Sequence, residues 1–109
     1  MHVEKRVRRS EFRSEALELL LESCRSRGGF DAMVIADERG LLVASSTAGA
    51  PDAVALASVI PSEEHRRSVP RLAAQSFGAH GQKLYLAGIG GRSSDALADA
   101  VRGAVRILA

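Results

Sequence analysis

The strongest candidate for a ligand-binding segment is the glycine-rich run from Gly88 to Asp95, which reads GIGGRSSD. A turn of this kind, between a strand and the start of a helix, presents backbone N–H groups that bind phosphate. The run lacks the lysine of a Walker loop, and Ser93 stands where the dinucleotide-binding fingerprint has its third glycine. We therefore interpret the segment as a plain strand-to-helix connection and expect no cofactor.

The other candidates for catalysis or metal binding are isolated polar residues. His65 stands beside Glu63 and Glu64, but adjacent charged residues in a loop are usually only solvated. Cys24 continues an apolar helix face without a histidine to activate it, so we expect a small buried side chain. Ser45-Ser46 lacks the glycines that flank a nucleophile elbow. Because no catalytic constellation is present, we predict neither an enzyme nor a metal site.

Composition and length exclude further classes of protein. The chain has 109 residues, of which 46% are hydrophobic and 4% aromatic, with no tryptophan. This length suffices for one domain with its own core, whereas base-stacking platforms need exposed rings. A single cysteine fits a reducing compartment. The apolar runs fall short of the ~20 residues of a membrane span, and we find no apolar signal sequence. We expect a cytoplasmic protein without membrane insertion.

The sequence divides into a short arm and one domain. Residues 1–9 are charged and aperiodic, and we interpret them as a basic, flexible N-terminal arm. Nucleic acid is not the expected partner, because the net charge is only +2. Residues 10–109 form the single domain. Its first helix begins at Ser10, presents apolar residues at helical spacing and ends at Gly28-Gly29.

The stretch from Phe30 to Ser46 organises the domain. Two apolar runs flank the turn residues Asp37 to Gly40, which predicts a β-hairpin. Both runs are apolar at consecutive positions, so we expect cover on both faces of the sheet. A second hairpin follows from Leu72 to Gly90, with its turn at residues 80–82. Ser93 or Ser94 then caps a closing helix, whose apolar stripe comprises Leu97, Val101, Ala104, Val105 and Leu108.

A short helix without charge lies between the hairpins. It begins at Pro51 or Asp52, and we expect a kink or a break at Pro61. No residue between Ala53 and Ile60 is charged, so more than one face of this helix must be covered. We expect Leu56 and Ile60 to face the sheet and a second copy of the chain to cover the opposite side. The predicted dimer or partner interface comprises Val54, Ala57, Ser58 and Phe77.

These elements follow one another in the order α-β-β-α-β-β-α, an α+β arrangement. The order, together with the segments GGFDAMVIADERGLLVASS, DAVALASVIP and KLYLAGIGG, resembles the Roadblock family (dynein light-chain Roadblock type) in its compact bacterial form. The resemblance covers residues 10–109. The chain departs from the family pattern in two respects, because its second helix is shorter and two strands rather than three follow that helix.

The resemblance implies both a fold and a function. The implied fold is a profilin-like three-layer α/β/α sandwich, with a central antiparallel sheet that has one helix on one face and two on the other. The implied function is that of a non-enzymatic homodimer, joined through its second helices and its sheet edges, that serves as a scaffold or regulator for a small Ras-like GTPase. Two alternatives stay open: a profilin-like or PAS-like sensor that holds a small ligand, and a nucleic-acid module that uses the arm with Arg66, Arg67 and Arg71.

Overall fold

The computed structural model describes residues 2–49, 51–91 and 94–109, with side chains from residue 13 onward. Its strands form an antiparallel sheet in the order β2-β1-β4-β3. The elements in chain order are α1 (His2–Gly28), β1 (Ala32–Asp37), β2 (Leu42–Thr47), α2 (Ala53–Val59), α3 (Glu63–Arg67), β3 (Leu72–Ala79), β4 (Gln82–Ile89) and α4 (Ser94–Leu108). The predicted α+β order is confirmed, with α3 as an added helix.

Helices cover both faces of the sheet. Leu17 and Leu21 of α1 lie in one core cluster with Met33 and Leu86 of the sheet and with Ala100 of α4. On the opposite face, a smaller cluster joins α2 to strands β1 and β4, and its buried members are Val34, Ala36, Ala57, Ile60 and Ala87. The predicted sandwich, with one helix on one face and two on the other, is therefore confirmed.

The first hairpin has the turn that the sequence predicts. Every residue from Ala32 to Ala36 is buried, as expected for a central strand that is covered on both faces. The carboxylate of Asp37 accepts hydrogen bonds from the backbone N–H groups of Arg39 at 2.9 Å and Leu41 at 3.0 Å. Gly40 has a φ of +81°, which a residue with a side chain rarely adopts. These local interactions set the reversal between β1 and β2.

The second hairpin turns at His80 and Gly81. Their φ angles are 52° and 74°, the left-handed conformation that a type I′ turn requires at both of its central residues. Strand β3 ends at Ala79 and β4 begins at Gln82, so the turn lies where it was predicted. The two strands pair without a bulge over their whole length, from Leu72 opposite Ile89 to Ala79 opposite Gln82.

Local capping defines both short helices. Asp52 accepts hydrogen bonds from the backbone N–H groups of Val54 and Ala55 at the start of α2, and the helix ends at Val59, before Pro61. The predicted start and break are both confirmed. Sequence analysis missed α3, whose N-cap is the hydroxyl of Ser62.

The outer helices differ from prediction at two points. Helix α1 begins at His2 rather than at Ser10, and the side chains of residues 1–12 lie outside the described set. The division into an arm and a domain stays a prediction. In α4, Val105 is 40% exposed and does not belong to the buried stripe. Gly103 makes room for the Leu20 side chain of α1, because a Cβ there would lie 2.6 Å from Cδ1 of Leu20.

Candidate partner-binding surface

The glycine-rich run packs against an aromatic ring. A Cβ on Gly88 would lie 2.6 Å from the Phe30 ring, a Cβ on Gly91 would overlap the same ring, and a Cβ on Gly28 would come within 2.5 Å of it. These glycines therefore make room for a buried Phe30. Ser93, the other residue on which the phosphate-loop alternative depends, lies outside the described residues.

The polar candidates lie apart from one another. His65 is exposed on α3, and Glu63 forms an ion pair with Arg67 at 2.9 Å. Cys24 is fully buried, as predicted, and Arg27 Nη2 donates a hydrogen bond to its Sγ at 3.2 Å. Within the described part of the chain, no group of three histidine, cysteine or acidic residues is placed to hold a metal ion.

The arginines of the 66–71 segment are bound within the domain. Arg66 donates a hydrogen bond to the carbonyl of Ile60, and its guanidinium lies 5.7 Å from the ring centroid of Tyr85. Arg71 donates to the carbonyl of Gly90 at 2.9 Å, and Arg67 is paired with Glu63. Each of the three arginines therefore has an intramolecular contact.

The outward side of α2 is apolar and exposed. Val54 is 66% exposed, Ala55 and Ser58 are exposed, and Val59 is half-buried. The Ser58 hydroxyl donates a hydrogen bond to the carbonyl of Ala55 at 2.6 Å, so its hydrogen is bound within the same helix. The result is an outward side that carries no charge and whose one hydroxyl donates its hydrogen within the same helix.

Two of the four predicted interface residues lie on this outward side. Val54 and Ser58 are exposed there, in agreement with the predicted orientation. Ala57 does not face outward: it is fully buried against the sheet. Phe77 is 9% exposed and belongs to the core beneath α1 and α4. The orientation expected for Ala57 is wrong because Ala57 shares the sheet-facing stripe with Ile60, three residues further along the helix.

An apolar groove runs beside α2. Its volume is about 360 Å³, and it separates the helix from the segment after α3 and from the end of β4. The lining residues are Pro51, Asp52, Ala55, Leu56, Val59, Val69 and Ile89. Sequence analysis missed this groove because Val69 and Ile89 come from distant segments, and no local pattern brings them together.

Strand β3 forms an open edge of the sheet. It is the last strand in the order β2-β1-β4-β3, and residues 73–76 are exposed on both faces. Natural edge strands usually carry charges, prolines or bulges that block pairing with another chain. Residues 72–79, which read LAAQSFGA, contain no charge and no proline, and the strand pairs with β4 without a bulge. It therefore lacks these protections.

Several solved structures share this fold. MglB from Myxococcus xanthus matches with a TM-score of 0.57 at 9% identity, over 86% of this chain and 85% of that chain. A structure described as MglB with a tetrameric arrangement matches with a TM-score of 0.63 at 16% identity, over 88% and 90%. The gliding protein MglB from Thermus thermophilus matches with a TM-score of 0.61 at 15% identity, over 88% and 90%.

Comparisons of the sequence with family models and with curated proteins found no match. No described helix is both long and apolar enough to cross a membrane. The likeness to the solved structures covers most of this chain and most of each matched chain. This chain therefore has the fold of MglB, and the Roadblock-type architecture predicted from the sequence is confirmed.

Proposed function

We propose that this chain is a homodimeric, non-enzymatic Roadblock-type scaffold or regulator that binds a small Ras-like GTPase and modulates its nucleotide cycle or its localisation. The single observation that carries this proposal is the uncharged outward side of α2, with Val54 66% exposed, on a chain with the MglB fold. The GTPase is inferred as the partner from the resemblance to the Roadblock family.

The proposed dimer covers α2 and the β3 edge together. In a twofold dimer each copy buries the same surface, so an apolar patch that carries no charge has no like-charge repulsion to overcome. The outward residues Val54 and Ser58 would face the second copy, and the groove beside Val59 would receive apolar side chains from it. Pairing of β3 with β3 of the other copy would satisfy the open backbone groups.

In such a complex, the GTPase itself would supply the phosphoryl chemistry. Two arginines of the segment after α2, Arg66 and Arg71, each donate a hydrogen bond to a backbone carbonyl of this chain. In this proposal, a change in GTP hydrolysis or exchange comes from the positioning of the GTPase's own switch loops by the dimer surface.

The experiment is a binding and turnover assay with a purified small Ras-like GTPase. Calorimetric titration of the purified chain into the GTPase, loaded either with GDP or with a non-hydrolysable GTP analogue, should give saturable binding that prefers one nucleotide state. Single-turnover GTP hydrolysis and nucleotide release should then change in rate. Val54→Asp, on the outward side of α2, should weaken this binding, whereas Val105→Asp, which alters an exposed apolar residue on α4, should leave it unchanged. Absence of binding in both nucleotide states would contradict the proposed partner.

A small-ligand sensor is the second candidate, and the groove beside α2 is the observation that favours it. Its volume of about 360 Å³ lies near the lower limit of ligand pockets, which span ~300–1,000 Å³. The carboxylate of Asp52, a polar group in its lining, already caps α2. A thermal-shift screen with metabolites should leave the melting temperature unchanged if the groove serves the dimer, whereas a ligand that stabilises the monomer would favour the sensor.

A further inference from the structure

An exposed leucine lies on the outer face of α1. Leu19 is 66% exposed, and it lines a depression of about 350 Å³ together with Glu15, Glu18 and Glu22. Among the described side chains, none of these three carboxylates forms an ion pair. This acidic spot is therefore an apolar centre with a negative rim that no described side chain neutralises, on the helical face of the sandwich that lies away from α2.

A site of opposite charge lies on the other face of the sheet. Tyr85 of β4 is half-buried, and its ring lies 5.3 Å from the ammonium of Lys83 and 5.7 Å from the guanidinium of Arg66. Lys83 is exposed and has no ion pair among the described residues. The contacts with the ring hold both cations over the same small area. This basic spot is an aromatic centre with a positive rim.

We propose that the acidic spot of one copy of this chain docks on the basic spot of another copy. Leu19 would pack beside Tyr85, and the glutamates would face Lys83 and Arg66, so that the charges of the two rims are complementary. Because the two spots lie on opposite faces of the sandwich, each copy keeps one of each kind free after docking. Such a heterologous contact adds further copies in an open series.

The basic spot adjoins the proposed dimer surface but does not include Val54 or the groove. Tyr85 pairs with Ser76 of β3, and it lies four residues, about 13 Å, before Ile89 of the groove along β4. Stacking therefore has to be measured both in the wild-type chain and in a variant that does not dimerise. Exposed ion pairs contribute little each and are screened by salt, so the stacking is weak and sensitive to ionic strength.

The test is sedimentation velocity on the full chain at 10–500 μM. In 50 mM NaCl the weight-average mass should rise with concentration, and in 500 mM NaCl the association constant should fall by about tenfold or more. Glu18→Lys and Lys83→Glu should each abolish the rise. Glu38→Lys, a charge reversal of the same kind at an exposed residue of the first turn, should leave it unchanged.

The charge-swapped double variant gives the decisive result. Glu18→Lys combined with Lys83→Glu in one chain should restore the concentration-dependent mass, because each spot again meets its opposite. All the substituted residues are exposed, and circular dichroism verifies that the variants fold. A wild-type mass that does not respond to salt, or a double variant that stays as dispersed as the single variants, would overturn the proposal. Repeating the series in Val54→Asp separates stacking from the dimer.

Discussion

Substitution of Val54 tests the proposed dimer at a residue that the single chain leaves uncovered. Complete burial of a valine side chain contributes about 1.5–3 kcal/mol. Because Val54 is 66% exposed in the single chain, about two-thirds of this, roughly 1–2 kcal/mol, is left to be gained on dimerisation. A twofold contact buries the residue in both copies, so Val54→Asp should cost about 2–4 kcal/mol of dimer stability, and the dissociation constant should rise about 30-fold to 700-fold.

The assay is sedimentation equilibrium of the variant beside wild type and two comparison variants. Val105→Asp should dimerise like wild type, because Val105 lies on α4, on the opposite face. Ala57→Asp should lose folding cooperativity rather than dimerisation alone, because it places a carboxylate in a fully buried position. If Val54→Asp dimerised within threefold of wild type, the assignment of the outward side of α2 to the interface would be refuted.

Three further predictions concern the interactions that hold the surface in place. Gly88→Ala should lower the free energy of unfolding by about 1–3 kcal/mol, because the new Cβ would lie 2.6 Å from the Phe30 ring; urea denaturation measures this, and Gly78→Ala, whose Cβ would lie 3.9 Å from the nearest atom, should show no such loss. Asp52→Ala should cost about 0.5–2 kcal/mol by removing the cap of α2, whereas Asp52→Asn should stay within a few tenths of wild type. Asp37→Ala should cost about 1 kcal/mol, because two backbone N–H groups lose their acceptor; hydrogen exchange at Arg39 and Leu41 should speed up, and unchanged exchange there would contradict this role.

Local signals predicted much of the fold. The turn at Asp37 to Gly40 and the cap at Asp52 both depend on residues within four positions of one another, and the structure has both as expected. Helix α3 was missed because its charged residues carry no apolar periodicity, and only Ser62 marks its start. Non-local pairing, such as that of β1 with β4, follows from the element order of the resemblance rather than from any local pattern.

The candidate surface was predicted less completely than the fold. The absence of charge from Ala53 to Ile60 indicates that α2 needs cover, but a helix without charged residues gives little contrast from which to read its orientation. For that reason Ala57 was assigned outward, although it is buried. The glycines near Gly88 were weighed as a phosphate loop because the partner that requires them, Phe30, lies 58 residues earlier in the sequence.

The mass of the unmodified chain in solution tests the central claim most directly. Light scattering coupled to size exclusion, at loading concentrations from about 10 to 500 μM in 500 mM NaCl, suppresses the salt-sensitive stacking and isolates the dimer. The proposed sealing of α2 by a second copy predicts a mass of about 23 kDa, twice that of the 11.5 kDa chain. A mass of 11.5 kDa throughout this range would contradict it.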